Sequence, residues 1–258
     1  MMHHWQTLTA PQLADIAQRD PVAVLVLGAI EQHGTHLPLA TDLTIGEGLQ
    51  AAMLEQLDPS LDVLCLPPMA VGASDEHKSY PGTLSLPAPV AIATLEAYGD
   101  SLAHAGIRRL VLINSHGGNK AVMDLAALTL RRRHAMRVVK ATYTRLPPLK
   151  GAINADELCY GLHGGALETA IMLHLAPALV QLEDYQAAAP ATPQGDSLVG
   201  PEAAASFAWL AEDLSDHGVA GDARQATAEL GARLVQHYAG QLAAVVTETA
   251  RLHALSTP

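Results

Sequence analysis

The sequence predicts an α/β protein, a three-layer α/β/α sandwich with a mostly parallel central sheet. Of its 258 residues, 49% are hydrophobic and 16% are charged, a balance that supports a large core and excludes a disordered chain. Short continuous apolar runs alternate with longer segments whose apolar residues recur every three or four positions. This alternation is typical of βαβ units, in which helices cover both faces of parallel strands.

Each element follows from its own pattern. Apolar runs bounded by turn residues predict buried strands at Val22–Gly28, Leu61–Pro67, Arg109–Asn114 and Met136–Thr142. Helical spacing predicts helices at Pro11–Arg19, Leu43–Leu57, Pro89–Ala105, Lys120–His134 and Glu202–Leu214, and from Ala223 to about Leu255 with interruptions at Gly231 and Gly240. The Ala-, Pro- and Gly-rich stretch Ala187–Gly200 is expected to be a surface loop. Without an internal repeat or a linker, residues 1–258 are expected to form a single domain.

Charge and cysteine usage exclude several classes of protein. The net charge is −11 and the one basic cluster, Arg131–Arg133, lies in a helical pattern, so a nucleic-acid partner is not expected. The longest uncharged apolar run, Val22–Ile30, is too short to cross a bilayer, and Met1–His4 lacks the apolar core of a signal peptide. Cys65 and Cys159 form no metal or disulfide pattern. We therefore expect a cytoplasmic protein without a membrane partner.

Polar side chains follow three of the predicted strands, where open parallel sheets bind their ligands. After the first strand, Glu31, His33, His36 and Asp42 offer oxygen and nitrogen donors within twelve residues. This donor set suits Zn²⁺, Mn²⁺ or Fe²⁺. The alternative is that these are solvated loop residues without a ligand role. We favour the metal site because four such residues follow directly after a buried strand.

The segment His116–Asn119, with sequence His-Gly-Gly-Asn, follows another strand. Its glycines fit either a loop that presents His116 to a metal ion or a backbone anion site at a helix N-terminus. The segment lacks the Lys-Ser/Thr of a phosphate-binding loop, and phosphate binding would leave the histidine unexplained. We favour the ligand role for His116.

A third segment places His163 just before a predicted helix and Glu168 in its first turns. A helix N-terminus lowers the pKa of an imidazolium, which would suit His163 to general acid and base catalysis. The alternative is a capping histidine followed by a solvent-facing glutamate.

Together these segments resemble the creatininase (creatinine amidohydrolase) family. The matching motifs occur in family order across residues 22 to about 235. Two of the motifs match without a gap: Leu27–Asp42 (LGAIEQHGTHLPLATD) and Ser115–Asn119 (SHGGN). The other three match at selected positions. They are Ser74–Thr83, through Glu76, His77, Tyr80, Pro81 and Gly82; His163–Thr169, through Gly164, Gly165 and Glu168; and Gly218–Ala228, through Val219, Gly221, Asp222, Ala226 and Thr227.

The resemblance implies a three-layer α/β/α fold, two divalent metal ions per chain (Zn, Mn or Fe) and hydrolysis of an amide, often cyclic, by an activated water. It implies metal ligation by Glu31, His33, Asp42 and His116, with Asp42 shared between the ions, and catalysis by His163. It also implies a homo-oligomer, a hexamer in creatininase itself. The expected partner is a small-molecule substrate, contacted by Ser74, Glu76, His77, Gly117, Gly118 and Asn119.

Two departures from the creatininase pattern matter. Gly118 stands where the creatininase branch has a glutamate ligand, so Glu168 is our candidate to complete the second ion, or else to orient His163. Cys159 stands where that branch has a tryptophan over the substrate, and the only tryptophans here are Trp5 and Trp209.

We therefore expect creatinine to be a poor substrate. The expected reaction is cleavage of a C–N bond other than a peptide bond, in a cyclic amide, a formamide or a related small molecule. Cleavage of a lactone or an activated C–C bond by the same metals is one alternative. A non-catalytic relative that only binds a metal or ligand is another.

Overall fold

A computed structural model of the chain describes residues 1–192, 197–253 and 255. Its central sheet has five parallel strands in the spatial order β1-β3-β2-β4-β5. The strands are Met2–His4 (β1), Val22–Leu27 (β2), Val63–Cys65 (β3), Arg109–Asn114 (β4) and Arg137–Thr142 (β5), with the short pair Val199–Gly200 (β6) and Ala205–Ser206 (β7) outside the sheet. The α-helices are Ala10–Ala17 (α1), Thr41–Leu54 (α2), Ala88–His104 (α3), Asn119–His134 (α4), Ala155–Tyr160 (α5), Ala166–Leu175 (α6), Ala211–Leu214 (α7) and Ala228–Arg251 (α8).

The two faces of the sheet carry separate halves of the core. Alternate residues of a strand point to opposite faces, so Val22, Val24 and Val26 of β2 belong to one apolar cluster and its intervening residues to the other. Helices α2, α6 and α8 complete the first cluster, and α1, α3 and α4 complete the second. This arrangement confirms the predicted three-layer α/β/α sandwich.

The order of the strands creates a crevice between β2 and β4. The chain leaves β2 through α2 toward β3 on one side, and after β3 it returns through α3 to β4 on the other side of β2. Connections that diverge from two adjacent parallel strands leave an opening at their carboxyl ends, where ligands bind in such sheets. The topology therefore places the loops after β2 and β4 at the same opening.

The four predicted strands and the first four predicted helices are confirmed, with ends that differ by at most three residues. The edge strand β1 was not predicted, because three residues with two histidines show no strand pattern. Its pairing with β3 orders this segment. Of the predicted loop 187–200, residues 193–196 lie outside the described part.

The prediction of a helix over Glu202–Leu214 is largely wrong. Only Ala211–Leu214 is α-helical, and Ala205–Ser206 is a short strand. Phe207 and Trp209 line a cavity instead of packing along a helix face, so tertiary contacts override the local helical preference. Among the described residues, no helix combines the length and apolar character needed to span a bilayer.

The C-terminal segment forms one helix instead of the interrupted pattern that was predicted, and residue 254 lies outside the described part. At Gly231 a side chain would overlap the carbonyl oxygen of Ala170 in α6, so α8 needs glycine there for close packing. At Gly240 a side chain would approach only the flexible end of Gln56, at 3.0 Å.

These two glycines give a matched stability test. We expect Gly231→Ala to lower the free energy of unfolding by about 1–3 kcal/mol through overpacking. Gly240→Ala should raise it by up to about 1 kcal/mol, because alanine is the better helix former. Urea unfolding of both variants measures the difference, and a Gly231→Ala protein as stable as wild type would contradict the close contact.

Candidate metal centre

The predicted metal ligands come together at the crevice between β2 and β4. Glu31 and His33 follow β2, His116 follows β4, and Asp42 and Glu168 lie in the first turns of α2 and α6. Three sets of possible ligand atoms each lie within 4.8 Å of one another: Glu31, Asp42 and His116; His33, Asp42 and Glu168; and Glu31, His33 and His163. The geometry thus joins residues from widely separated parts of the sequence.

The two oxygens of Asp42 face different histidines. Asp42 Oδ1 lies 3.5 Å from His33 Nε2, and Oδ2 lies 3.3 Å from His116 Nδ1. The side chain is 2% exposed. A buried carboxylate in this position can serve two ions at once.

Both histidines are oriented by hydrogen bonds on the ring nitrogen that faces away from the centre. His33 Nδ1 donates to the carbonyl of Glu31 at 3.1 Å, and His116 Nε2 donates to the carbonyl of Ala73 at 2.9 Å. Donation by one nitrogen leaves the other as an acceptor, the arrangement that metal-binding histidines adopt. The free nitrogens of His33 and His116 both point toward Asp42.

Several polar atoms at the centre have no hydrogen-bond partner among the described residues. Both side-chain oxygens of Glu31, Oδ2 of Asp42 and Nε2 of His33 are buried and unpaired. Leaving such groups buried without a partner costs about 1–3 kcal/mol each, and more when they are charged. Divalent cations bound at the centre would satisfy these atoms, and the mixed nitrogen and oxygen donors suit Zn²⁺ or Mn²⁺.

The electrostatics of the centre also favour a cation. Burial raises the pKa of the Asp42 carboxyl, but His33 and His116 outweigh burial and hold that pKa below its usual range. Burial lowers the pKa of His33, but the carboxylates of Asp42, Glu168 and Glu31 together outweigh burial and raise that pKa to about 9. Burial raises the pKa of Glu168 to about 7. Buried carboxylates of this kind require positive charge between them, whether protons on the histidines or a metal ion.

His163 lies against the same centre and is 5% exposed. Its Nε2 donates to the carbonyl of Gln32 at 2.6 Å, and its Nδ1 lies 3.8 Å from Glu31 Oε1. Its ring lies against those of His33 and His77, with centroids 4.2 Å apart in both cases. Burial lowers the pKa of His163 well below its usual range, helped by these two histidines. The pKa is therefore shifted in the predicted direction, and burial is the main cause of the shift.

His77 and Gln32 contribute more to the centre than the sequence indicated. The amide of Gln32 donates to His77 Nδ1 at 2.8 Å, so His77 Nε2 carries the proton that faces Glu31 Oε1 at 3.3 Å. The same amide donates to the carbonyl of Gly218 at 3.0 Å. Gln32 stands between two metal-capable residues in the sequence, which is the only signal that could have singled it out.

Glu76 partly fills the space left by the glycine at position 118. A side chain on Gly118 would overlap the carbonyl oxygen of Ala73 and would lie 2.5 Å from Glu76 Oε1. Glu76 Oε1 itself is 3.6 Å from His116 Nε2. A carboxylate from the loop after β3 thus approaches His116 near residue 118, where the creatininase branch has a glutamate.

The residues predicted to contact substrate divide into two groups. Glu76, His77, Gly117 and Gly118 line the cavity above the centre. Ser74 and Asn119 are buried elsewhere: Ser74 lies 3.4 Å from His116 Nε2, and the Asn119 amide bonds the backbone of Ala73 and Gly28 at 3.0 Å each. The contacts of Asn119 join the loops that carry the site.

Two further buried groups surround the centre. His36, a candidate donor in the sequence, points away from it and bonds Thr169 Oγ1 at 3.0 Å. Glu157 of α5 is 3% exposed and accepts from the backbone of Ala166 at 2.8 Å and of Asp222 at 2.7 Å. Glu157 therefore fixes the start of α6, whose first turn carries Glu168.

The cavity has a volume of about 760 Å³ and walls of mixed character. Phe207 and Trp209 form an aromatic wall, with the Trp209 ring centroid 6.4 Å from that of His77. On another wall, Glu202 pairs with Lys120 at 3.2 Å and with Arg145 at 3.6 Å. The cavity thus has an aromatic side chain although Cys159, also on its wall, replaces the expected tryptophan.

Comparison with known proteins agrees with this geometry. The family model described as creatininase, creatinine amidohydrolase, matches residues 6–246. The chain belongs to the creatininase family. It is therefore a creatininase-family, metal-dependent amidohydrolase.

Two curated relatives have different named activities. A mycofactocin precursor peptide peptidase from Mycolicibacterium smegmatis is 32% identical over 230 residues, which cover 88% of this chain and 84% of the relative. A creatinine amidohydrolase from Pseudomonas putida is 32% identical over 195 residues, which cover 69% of this chain and 74% of the relative.

Solved structures of creatininase share the fold. A crystal structure of creatinine amidohydrolase superposes with a TM-score of 0.79 at 25% identity, covering 97% of this chain and 98% of that one. A structure described as creatininase Mn has a TM-score of 0.77 at 26% identity, and a mutant creatininase of Zn-Zn type has 0.76 at 27%; each comparison covers 95% of this chain and 97% of the other.

Proposed function

We propose that this protein is a two-metal amidohydrolase that cleaves an amide bond in an extended, peptide-like substrate. The observation that carries the proposal is the position of Asp42, whose two buried oxygens face His33 and His116 at 3.5 and 3.3 Å. One ion would be held by Glu31, Asp42 and His116, and the other by His33, Asp42 and Glu168. The group formed by Glu31, His33 and His163 is the competing arrangement.

Divalent ions bound there supply Lewis acidity, which acidifies water and polarises a carbonyl group. The chain's own residues supply the remaining functions. His163 lines the cavity with its Nδ1 on the side of Glu31, so it can pass a proton to the leaving nitrogen of the substrate. Gly117 and Gly118 line the cavity without side chains, which leaves their backbone accessible to the carbonyl oxygen of the substrate.

The size and walls of the cavity support a substrate larger than a cyclic amide. A volume of about 760 Å³ lies within the range of about 300–1,000 Å³ that holds drug-sized ligands. Phe207 and Trp209 offer stacking area, and Lys120, Arg145 and Glu202 offer polar contacts. A curated relative is named as a peptide peptidase. We therefore favour a peptide amide over the small non-peptide substrate expected from the sequence, which stays untested.

Metal analysis and a substrate comparison test the proposal. Protein purified without chelator should contain close to two divalent ions per chain, because the ligand set exceeds what one tetrahedral ion uses. It should hydrolyse members of a short-peptide library and cleave creatinine at least about 10³-fold more slowly, a difference of about 4 kcal/mol in transition-state binding. Protein that contains no metal and takes up neither Zn²⁺ nor Mn²⁺ would refute the metal centre. Preference for creatinine or another small cyclic amide would refute the substrate class.

The aromatic wall makes a separate prediction. Trp209→Ala should raise KM for peptide substrates about tenfold, since losing about 1.4 kcal/mol of binding corresponds to that factor. Its kcat should change little because Trp209 bonds none of the proposed ligands. Leu210→Ala is the matched control, since Leu210 is exposed and does not line the cavity. An equal rise in KM in both variants, measured by steady-state kinetics, would contradict a specific contact with Trp209.

A further inference from the structure

A second cavity, of about 350 Å³, is lined mainly by basic side chains, together with the carboxylate of Asp20. Four arginines and two histidines contribute to its walls: Arg108, Arg109, Arg133, Arg137, His134 and His253. We call this cavity the arginine pocket. The whole protein has a net charge of −11 and only 15 lysines and arginines, so this concentration of arginine is unusual for the chain.

The arginine pocket lies at the end of the sheet opposite the metal centre. Arg109 and Arg137 are the first residues of β4 and β5 and are partners in register. Partners in register on adjacent parallel strands point to the same face. The metal centre follows the other ends of the strands, so the two sites are separated by the length of the sheet.

Two of the four guanidinium groups have carboxylate partners. Arg109 pairs with Asp20, and Arg133 pairs with Asp100 at 2.8 Å and with Glu96 at 3.0 Å. These contacts compensate the charge of one half of the arginine pocket.

The other two arginines bond only to neutral carbonyl groups among the described residues. Arg108 Nη1 donates to Ala103 at 2.7 Å and to Ile107 at 3.0 Å, and Arg137 Nη2 donates to His253 at 2.8 Å. Arg137 Nε is buried and has no partner in the described part of the chain. Arg108, which is exposed, and Arg137 therefore bring two positive charges to a cavity whose one carboxylate among the described lining residues, Asp20, pairs with Arg109. An anion bound between Arg108 and Arg137 would relieve their mutual repulsion.

We propose that the arginine pocket binds a phosphate group, either as the free ion or as part of a small phosphorylated molecule. Guanidinium forks bind phosphate oxygens through paired hydrogen bonds, and Arg137 Nε is an available donor. The volume of the cavity falls within the range of small-molecule sites. This site is independent of the amidohydrolase function, and neither predicts the other.

Isothermal titration of the full chain with inorganic phosphate and with glucose 6-phosphate, at constant ionic strength, tests the proposal. We expect at least one of these to bind with a Kd below about 1 mM. Arg108→Gln and Arg137→Gln should each weaken binding about tenfold or more, the effect of losing a charge-assisted hydrogen bond. Arg132→Gln should bind like wild type, because Arg132 is exposed on the same helix as Arg133 and does not line the arginine pocket.

Thermal unfolding without phosphate checks that each variant is folded, and Arg108→Lys, which keeps the charge but loses the fork, should bind with intermediate affinity. Phosphate bound at the metal centre would be insensitive to the substitutions at Arg108 and Arg137. Equal affinity in all variants therefore overturns the proposal, as does the absence of binding by both probes. Tighter binding of citrate than of either phosphate probe would overturn the ligand class.

Discussion

Replacement of Asp42 by alanine is expected to remove both metal ions and to abolish hydrolysis. The reason is the arrangement of its two oxygens, one of which faces His33 and the other His116. Each proposed ion would lose a ligand, and the buried histidines would lose their shared counter-charge. Mass spectrometry of metal content after desalting measures the loss, and activity on the best peptide substrate measures its effect.

His33→Ala and Asp124→Ala are the informative companions of Asp42→Ala. His33 belongs to only one ligand group with Asp42, so His33→Ala should lose mainly one ion. Asp124 is a surface carboxylate that pairs with Lys140, and its replacement should leave metal content unchanged. Equal metal loss from Asp42→Ala and His33→Ala would contradict the shared role of Asp42.

The second large effect is expected from His163→Ala. As a proton donor, His163 should contribute about 10²- to 10⁴-fold to kcat, the usual range for general acid and base catalysis. Its Nδ1 is 3.8 Å from Glu31 Oε1, and the two ligand groups that share Asp42 do not include His163. The His163→Ala variant should therefore keep both ions while its kcat falls.

Metal content separates the two roles that the geometry gives His163. Loss of one ion from His163→Ala would make it a ligand in the group with Glu31 and His33. His36→Gln is the control for general damage, because His36 is equally buried and bonds Thr169 instead of facing the centre. A fall in kcat as large in His36→Gln would show that packing near α6, not proton transfer, explains the effect.

The site residues that could be predicted from sequence are those whose place in the fold follows from the pattern of neighbouring residues. The apolar runs of β2 and β4 fix where the sheet ends, so Glu31, His33 and His116 had to emerge at the same edge. The patterns of the loop after β2 and of the segment around His163 also singled out Asp42 and Glu168, although these lie on helices that pack on the sheet from different parts of the chain.

The remainder of the site depends on contacts that no local pattern encodes. Trp209 comes from a segment whose composition favours a helix, and it reaches the cavity only through an irregular path. Glu157 looks like an ordinary helix carboxylate until α6 and Asp222 are brought beside it. The orientation of His77 by Gln32 involves residues 45 positions apart. Such long-range contacts are the product of folding and cannot be read from neighbouring residues.

The segment 197–209, which carries Phe207 and Trp209, is structurally separate from the residues proposed to bind metal. It contributes cavity walls, but the proposed metal ligands and the strands of the central sheet all lie outside it. Insertions and substitutions in such a peripheral excursion need not disturb the chemistry at the strand ends. The substrate-facing segment of this chain can therefore change without displacing the proposed metal ligands, so that recognition and reactivity reside in separable parts of the molecule.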